Sequence, residues 1–243
     1  MSDNMSALRK ARDDFPVLSQ GELHIWHIST NISASEFIDL KSTLSKNESA
    51  KASFFEFDKA RDAYVVGQSA LRRLLSGYLG IPAEIVQLGR SKKGKPYSMD
   101  DPQLFFNMSN SGSLVAIAFS RDGEVGLDLE QLRPLSDLDD LITKNFTPSE
   151  IKFINSKPDD NIRRFFRFWT IKESYLKALG EGMRLPPDNL EFSIENDRVR
   201  LLSVRGIFDQ ADWNFEEFSI APDYVGTITY ARDHTVIKRM KFK

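Results

Sequence analysis

The segment that constrains this chain most is residues 163–182, which read RRFFRFWTIKESYLKALGEG. Up to position 179 it contains neither glycine nor proline, and its large apolar residues recur at helical spacing. Gly180 follows at once, and glycine readily takes the left-handed conformation in which many helices end. The sequence therefore predicts a long helix that ends at Leu179.

One face of this helix carries Trp169, Glu173 and Lys177 at four-residue steps. An acid and a base are thereby held side by side, next to an aromatic ring. Two interpretations are open on the helix alone: a functional site, or an ordinary Glu–Lys pair beside a core tryptophan. A second acidic pair farther upstream favours the functional site.

That second pair lies on the segment Val125–Glu130, whose strict alternation predicts a strand. Asp128 and Glu130 project from the same strand face, roughly 7 Å apart along the backbone. Gly126 shares that face and would leave room for a ligand to approach. These residues form a candidate oxygen-ligand site for a hard cation. The alternative is a solvent-facing sheet surface.

Two polar segments precede this strand. Residues 90–96 place four cations beside a glycine and a proline, which indicates either a solvated turn or a phosphate-binding edge. Residues 107–112 are rich in short hydrogen-bonding side chains, which is typical of a polar turn.

Periodicity and turn residues predict the other elements, after an N-terminal arm over residues 1–20. Helices are expected over 33–44, 48–57 and 58–79, and a further short one opens at 147–150. Strands are expected over 22–28, 85–88, 114–119, 190–194, 199–204, 213–220, 224–230 and 235–240.

An internal echo indicates how these elements are grouped. Ser69–Leu75 in the first long helix and Ser174–Gly180 in the second have serine, leucine, a cation and leucine at the same spacing. We therefore expect an α+β pseudo-dimer of two similar halves, each a small, mainly antiparallel sheet packed on a long helix. The halves are expected at 1–121 and 122–243, with the metal site in the second.

Composition limits the kinds of binding partner and chemistry that we expect for this chain. With Lys+Arg 33 against Asp+Glu 35, the net charge of -2 gives no reason to expect a nucleic-acid or membrane partner. The absence of cysteine excludes disulfides and a cysteine nucleophile and fits a reducing cytoplasm. The first twenty residues are polar, so we expect no signal peptide, and the sequence has no apolar run of about 20 residues. We expect a cytoplasmic protein.

Five motifs stand along the chain: GKP at 94–96, FNxSxSG at 106–112, GxDxE at 126–130, WxxKESxxK at 169–177 and GxG at 180–182. Together they resemble the surfactin-synthetase-type 4′-phosphopantetheinyl transferases. The resemblance covers about residues 45 to 185 and continues as a strand pattern to the end.

The resemblance implies a function. Members of that family move the phosphopantetheine arm of coenzyme A onto a serine of an acyl or peptidyl carrier protein, use Mg²⁺ and release adenosine 3′,5′-bisphosphate. It also implies a monomer, with the site between the two halves. The rival interpretations are a Mg²⁺-dependent phosphohydrolase, with water as the nucleophile, and a non-catalytic module that binds coenzyme A or another nucleotide.

The resemblance also implies roles for residues. Asp128, Glu130 and Glu173 would hold Mg²⁺, and in some members the residue matching Glu173 is instead the base that accepts the carrier serine's proton. Lys177 would neutralise phosphate oxygens, and Glu150 is a further candidate base. The residues implied to bind coenzyme A are Arg72, Gly94, Lys95, Pro96, Ser109, Asn110 and Lys177.

Of these, Lys95 and Pro96 would border the adenosine end, whereas Ser109 and Arg72 would contact phosphates. Asn110 stands where the family commonly has histidine, at a position near the 3′-phosphate of coenzyme A.

Overall fold

The structure is a computed structural model that describes residues 15–180, 185–205, 212–231 and 236–242. Most of the predicted N-terminal arm and Gly182 of the last motif lie outside these residues. The described helices are α1 (Ala34–Lys41), α2 (Lys46–Ala52), α3 (Asp58–Leu79), α4 (Leu138–Asn145), α5 (Pro148–Asn155) and α6 (Asn161–Leu179).

The strands, in chain order, are β1 (Glu22–Ser29), β2 (Leu88–Arg90), β3 (Pro96–Ser98), β4 (Phe105–Ser111), β5 (Leu114–Ser120), β6 (Val125–Gln131), β7 (Leu190–Glu195), β8 (Arg198–Val204), β9 (Trp213–Phe218), β10 (Tyr224–Ala231) and β11 (Val236–Lys241). Short 3₁₀ turns span Ala83–Ile85, Pro158–Asp160 and Pro187–Asn189.

The first sheet has the strand order β11–β1–β5–β4. Its pairs are antiparallel except for β1 with β11, which run parallel. Helix α3 covers one face of this sheet, and the apolar residues between them include Leu71, Leu75, Ile117 and Phe119. Phe57 precedes the helix, and Gly80, with a φ of 71°, ends it as predicted.

The second sheet has the order β6–β10–β9, and helix α6 lies across it. Hydroxyl pairs join α6 to β10 in two places, Thr170 to Thr227 at 2.9 Å and Ser174 to Thr229 at 2.7 Å. Gly180 has a φ of 69° and ends α6 as the sequence predicts. Helix α6 is thereby tied to β10, and it also packs along β6.

The inner faces of the two sheets share a third apolar cluster. Leu23 and Ile25 of the first sheet meet Leu127, Leu129 and Ile228 of the second within it. The order of layers is helix, sheet, sheet, helix, which confirms the predicted α+β class. Within the described residues, no helix combines the length and apolar character needed to cross a membrane.

Four features differ from the predictions, and the first is the helix expected over 48–57, which ends at Ala52. Residues 107–112 are mostly strand β4, and only Gly112 and Ser113 turn the chain. Residues 85–88 are mainly not a strand, because Pro82 starts a 3₁₀ turn before β2. Strand β11 comes from the predicted second half but completes the first sheet beside β1, so the division at residue 121 misplaces the last strand.

Gly126 has a different role from the predicted one. A Cβ atom at this position would collide with the backbone oxygen of Ser174 and the backbone of Ala178, so the missing side chain lets α6 approach β6. Gly126→Ala should destabilise the fold by about 1–3 kcal/mol or more, since neither backbone can move aside cheaply. Chemical denaturation measures the loss. Gly67→Ala in α3 is the matched control, because the new methyl would meet only side-chain atoms, of Met108 at 3.3 Å and of Val115 at 3.6 Å.

Candidate active site

Three carboxylates line one cavity of about 510 Å³ between β4, β6 and α6. We call this cavity the acid pocket. Its polar and charged lining residues are Ser109, Asn110, Asp128, Glu130, Asn145, Trp169, Glu173 and Lys177. Met108, Leu176, Leu185 and Pro187 complete it. The acids of the GxDxE and WxxKESxxK motifs are thus brought together as the sequence predicts.

Asp128 lies on β6 and is 5% exposed, so its strand face is covered by α6 and is not the solvent-facing surface considered as the alternative. Its Oδ1 atom accepts hydrogen bonds from Lys177 Nζ at 2.6 Å and from Ser109 Oγ at 2.9 Å. Its Oδ2 atom is buried and has no hydrogen-bond partner among the described residues. A buried carboxylate oxygen without a partner is costly unless something else occupies the site.

Glu130 and Glu173 complete the acidic set. Glu130 accepts hydrogen bonds from Ser111 Oγ at 2.6 Å and from Arg133 Nη1 at 3.1 Å. Burial raises the pKa of Glu173 above its ordinary value, the Asp128 carboxylate raises it further, and Lys177 opposes both. The lining of the pocket thus carries three carboxylates and one cation, Lys177.

The acid pocket fits a hard divalent cation. Carboxylate oxygens are the ligands that Mg²⁺ prefers, and the unpartnered Asp128 Oδ2 is available to one. Among the described residues, no three acidic or histidine side chains already converge on one point as a formed metal site. Mg²⁺ keeps several of its waters and needs few carboxylates, so a looser set of acids suffices.

A second cavity of about 670 Å³ adjoins the first and has the opposite charge. We call it the basic pocket. Its charged lining residues are Glu48, Lys51, Arg72, Arg90, Lys93, Lys95 and Lys177. Six cations thus face a single acid, in a space walled also by Tyr64, Gly94 and Pro96. The arrangement suits a ligand with several phosphate groups.

Lys177 joins the two cavities. It is the one charged residue that lines both of them within the described part of the chain. Its Nζ atom donates to Asp128 Oδ1, to Ser109 Oγ at 3.1 Å and to the carbonyl oxygen of Leu127 at 3.1 Å. A positive charge is therefore fixed at the boundary between the basic pocket and the acids.

Two of the expected coenzyme A contacts have other partners here. Arg72 lines the basic pocket, but its guanidinium pairs with Glu48 at 2.5 Å and donates to the carbonyls of Ala83 and Val86. The Lys95 ammonium pairs with Glu124 at 2.5 Å and donates to two backbone carbonyls, one of them at the C-terminal end of α6. Burial lowers the pKa of Lys95, against the effect of Glu124.

The sequence motifs identified some of the residues that line the two pockets but not others. Arg90 and Lys93 line the basic pocket and belong to the loop whose cations the sequence already marked. Lys51 also lines it and lies 5.0 Å from the ring centre of Tyr64, and no motif contains it. Asn110 is exposed and lines the acid pocket but not the basic pocket.

Glu150 is not placed as a base, which corrects the expectation from the family resemblance. It is 1% exposed, and its carboxylate receives Lys172 Nζ at 2.6 Å and the backbone N–H groups of Thr147 and Phe192. It lines neither pocket. Both of its oxygens are bound inside the fold by three donors, away from either pocket, so it is not directed at a substrate.

Comparisons with known proteins agree with this site. Residues 124–229 match the family model described as the 4′-phosphopantetheinyl transferase superfamily, and residues 29–122 match the model described as 4′-phosphopantetheinyl transferase, N-terminal. The first match contains the acidic residues of β6 and α6, and the second contains the basic loop.

Individual relatives carry the same description. The chain is 39% identical over 170 residues to the 4′-phosphopantetheinyl transferase HetI of Nostoc sp., covering 68% of this chain and 72% of that protein. It is 34% identical to the 4′-phosphopantetheinyl transferase gsp of Aneurinibacillus migulanus, covering 60% of each. It is 27% identical to the L-aminoadipate-semialdehyde dehydrogenase-phosphopantetheinyl transferase of Rattus norvegicus, covering 77% of this chain and 67% of that protein. The chain therefore belongs to the 4′-phosphopantetheinyl transferase superfamily, and it is an enzyme that transfers phosphopantetheine to carrier proteins.

Proposed function

We propose that this transferase takes phosphopantetheine from coenzyme A in a Mg²⁺-dependent reaction. The acceptor is a serine of an acyl or peptidyl carrier protein, and the released product is adenosine 3′,5′-bisphosphate. One observation carries this proposal: a basic pocket and an acid pocket adjoin, and Lys177 lies at their boundary. A diphosphate held there would have its nucleotide end among cations and its reacting phosphorus beside the acids.

Different side chains would bind the nucleotide, the diphosphate and the metal. Arg90, Lys93 and the Gly94–Pro96 backbone border the space for the nucleotide, and Lys177 would donate to an oxygen of the diphosphate. Asp128, Glu130 and Glu173 would hold the metal. When bound, Mg²⁺ would neutralise charge on the diphosphate oxygens.

Glu173 is also the best-placed acceptor for the carrier serine's proton. Its carboxylate makes no hydrogen bond or ion pair with any described residue, in contrast to Asp128 and Glu130. Loss of the serine proton to Glu173 would generate the nucleophile that attacks the phosphorus, and the bisphosphate would leave.

The test combines two product measurements. The full chain is incubated with coenzyme A, Mg²⁺ and a panel of apo carrier proteins, followed by intact-mass spectrometry of the carriers and chromatography of the nucleotides. We expect one phosphopantetheine on a carrier serine and an equal amount of adenosine 3′,5′-bisphosphate, both prevented by EDTA. Nucleotide hydrolysis with unmodified carriers would instead identify a phosphohydrolase. Tight coenzyme A binding without turnover would identify a binding module.

The basic pocket makes its own prediction. Arg90 is exposed at the pocket wall, and its Nη1 atom donates to the Gly94 carbonyl at 2.9 Å. Arg90→Gln should weaken coenzyme A binding by about 10- to 100-fold, because a hydrogen bond to a charged group contributes about 1.5–3 kcal/mol. Calorimetric titration at two salt concentrations measures it. Arg198→Gln, on exposed β8 outside both pockets, should bind coenzyme A as the parent does.

We propose further that the enzyme acts as a monomer in the cytoplasm. Residues of both halves line each pocket within a single chain, so no second copy is needed to complete the site. The absence of cysteine fits a reducing compartment. Sedimentation velocity should give one species of about the 27.8 kDa chain mass, and a dimer at micromolar concentration would contradict the first part.

A further inference from the structure

Two edge strands face each other where the halves of the molecule meet. Strand β4 is the last strand of the first sheet, and β6 is the first strand of the second. They pack closely along their length, yet no backbone ladder joins them, and the sheets remain separate. An edge strand leaves a row of backbone N–H and C=O groups that need other partners.

Side chains of β4 supply those partners in a regular register. Every second residue of β4 accepts a hydrogen bond from the backbone N–H that lies 20 positions later in the chain. The three bonds run from Leu127 N to Asn107 Oδ1 at 3.0 Å, from Leu129 N to Ser109 Oγ at 3.3 Å and from Gln131 N to Ser111 Oγ at 3.1 Å. We call Asn107, Ser109 and Ser111 the side-chain zipper.

Lysine and arginine side chains donate hydrogen bonds to backbone carbonyls on the same edge of β6. Lys95 donates to the carbonyl of Val125, Lys177 to that of Leu127 and Arg133 to that of Gln131. The outer edge of β6 thus has three N–H groups and three carbonyls paired with side chains. It does not need a further strand, and its position relative to β4 is fixed by the spacing of the zipper.

The two serines of the zipper also bind the acids of the site. Ser109 Oγ donates to Asp128 Oδ1 at 2.9 Å, and Ser111 Oγ donates to Glu130 Oε2 at 2.6 Å. Each serine therefore binds two neighbouring residues of β6 at once. Ser109 binds the Asp128 carboxylate and the Leu129 N–H, and Ser111 binds the Glu130 carboxylate and the Gln131 N–H. The zipper couples the register of the two strands to the direction in which both carboxylates point.

The hydrogen-bonding capacity of Ser109 is used up by these contacts. A serine hydroxyl has one donor and two acceptor lone pairs. Ser109 donates to Asp128 and accepts from Leu129 N and from Lys177 Nζ. No capacity remains for a phosphate oxygen, which is the role that the family resemblance implies for this residue.

We propose that the side-chain zipper is a positioning device: Asn107, Ser109 and Ser111 fix β6 against β4, and the two serines thereby orient Asp128 and Glu130. Its catalytic consequence rests on the proposed function, in which these acids hold the metal. Ser109 acts on the reaction through Asp128 and not through coenzyme A. The members are separable, because Asn107 binds only backbone whereas each serine binds backbone and an acid.

The first test needs neither substrate nor metal. Amide hydrogen exchange over residues 125–131 is measured in the free protein for the parent, Ser109→Ala, Ser109→Thr and Asn107→Leu. We expect exchange to accelerate by about 3- to 10-fold in Ser109→Ala and Asn107→Leu, since each loses one hydrogen bond. Ser109→Thr retains the hydroxyl and should exchange like the parent. Parental exchange in both of the other variants would overturn the zipper.

The second test separates positioning of the acids from phosphate contact. Mn²⁺ binding, followed by electron paramagnetic resonance, should weaken by about 10- to 100-fold in Ser109→Ala, as is typical when a partner of a metal ligand is lost. The same variant should lower kcat and leave the calorimetric Kd for coenzyme A unchanged, and Ser109→Thr should restore Mn²⁺ affinity. A raised Kd for coenzyme A with parental Mn²⁺ affinity would overturn the proposal and make Ser109 a phosphate contact. The exchange result decides the zipper even if no carrier protein is modified.

Discussion

Asp128→Ala should lower the rate of phosphopantetheine transfer by at least about 10²–10³-fold, the range seen when one preorganised electrostatic contact is removed from an active site. The expected loss follows from the position of the carboxylate. One of its oxygens holds Lys177 at the boundary of the two pockets, and the other is buried and unpartnered, ready for a cation. Single-turnover transfer to an apo carrier, followed by mass spectrometry, measures the rate.

Two further variants show whether the charge is responsible. Asp128→Asn retains the side chain's shape and can still accept from Ser109, but it cannot neutralise a metal ion or Lys177. It should be nearly as slow as the alanine variant. Asp39→Ala removes an exposed acid, paired only with Arg73 on the surface, and should transfer at the parental rate. Near-parental transfer by Asp128→Asn would show that this carboxylate does not bind the metal.

Lys172→Met should destabilise the fold by about 3–5 kcal/mol, the usual effect of breaking a buried ion pair from one side. The side chains of Lys172 and Glu150 are 1% and 0% exposed and lie 2.6 Å apart. Lys172 Nζ also donates to the carbonyls of Asn145, Pro187 and Leu190 at 2.9–3.0 Å. Methionine fills similar space but leaves the Glu150 carboxylate buried without its cation.

Urea denaturation measures this loss, and a double variant serves as its control. Replacing Lys172 with methionine and Glu150 with glutamine removes both charges, so the double variant should recover a large part of the lost free energy of unfolding. If Lys172→Met unfolds at the parental urea concentration, the pair is not buried as the structure shows. Asn145 and Pro187 also line the acid pocket, so the single variant should lose some activity at temperatures where it remains folded.

Features encoded by local periodicity could be predicted from the sequence. The long helix α6 and its glycine end, and the alternation that places Asp128 and Glu130 on one strand face, depend only on neighbouring residues. The start of a short helix at 147–150 was also predicted, and in the structure Thr147 and Glu150 form its capping box.

Features that depend on distant partners could not be predicted in this way. Asn107, Ser109 and Ser111 have the composition of a turn, but their backbone pairs with β5 in a ladder and their side chains bind the edge of β6. From the sequence, Gly126 could leave space for a ligand or for a helix. In the structure that space is occupied by α6. The partner of Glu150 is Lys172, which belongs to the WxxKESxxK motif but has a structural role.

The measurement that tests the central claim most directly is ³¹P NMR of coenzyme A bound to the enzyme, with Mn²⁺ added as a paramagnetic substitute for Mg²⁺. The claim is that the nucleotide occupies the basic pocket while the metal in the acid pocket sits beside the diphosphate. We predict that trace Mn²⁺ broadens the diphosphate resonances much more than the 3′-phosphate resonance, and that Asp128→Asn abolishes this difference. Equal broadening of all three phosphorus atoms, or selective broadening that survives in Asp128→Asn, would contradict it.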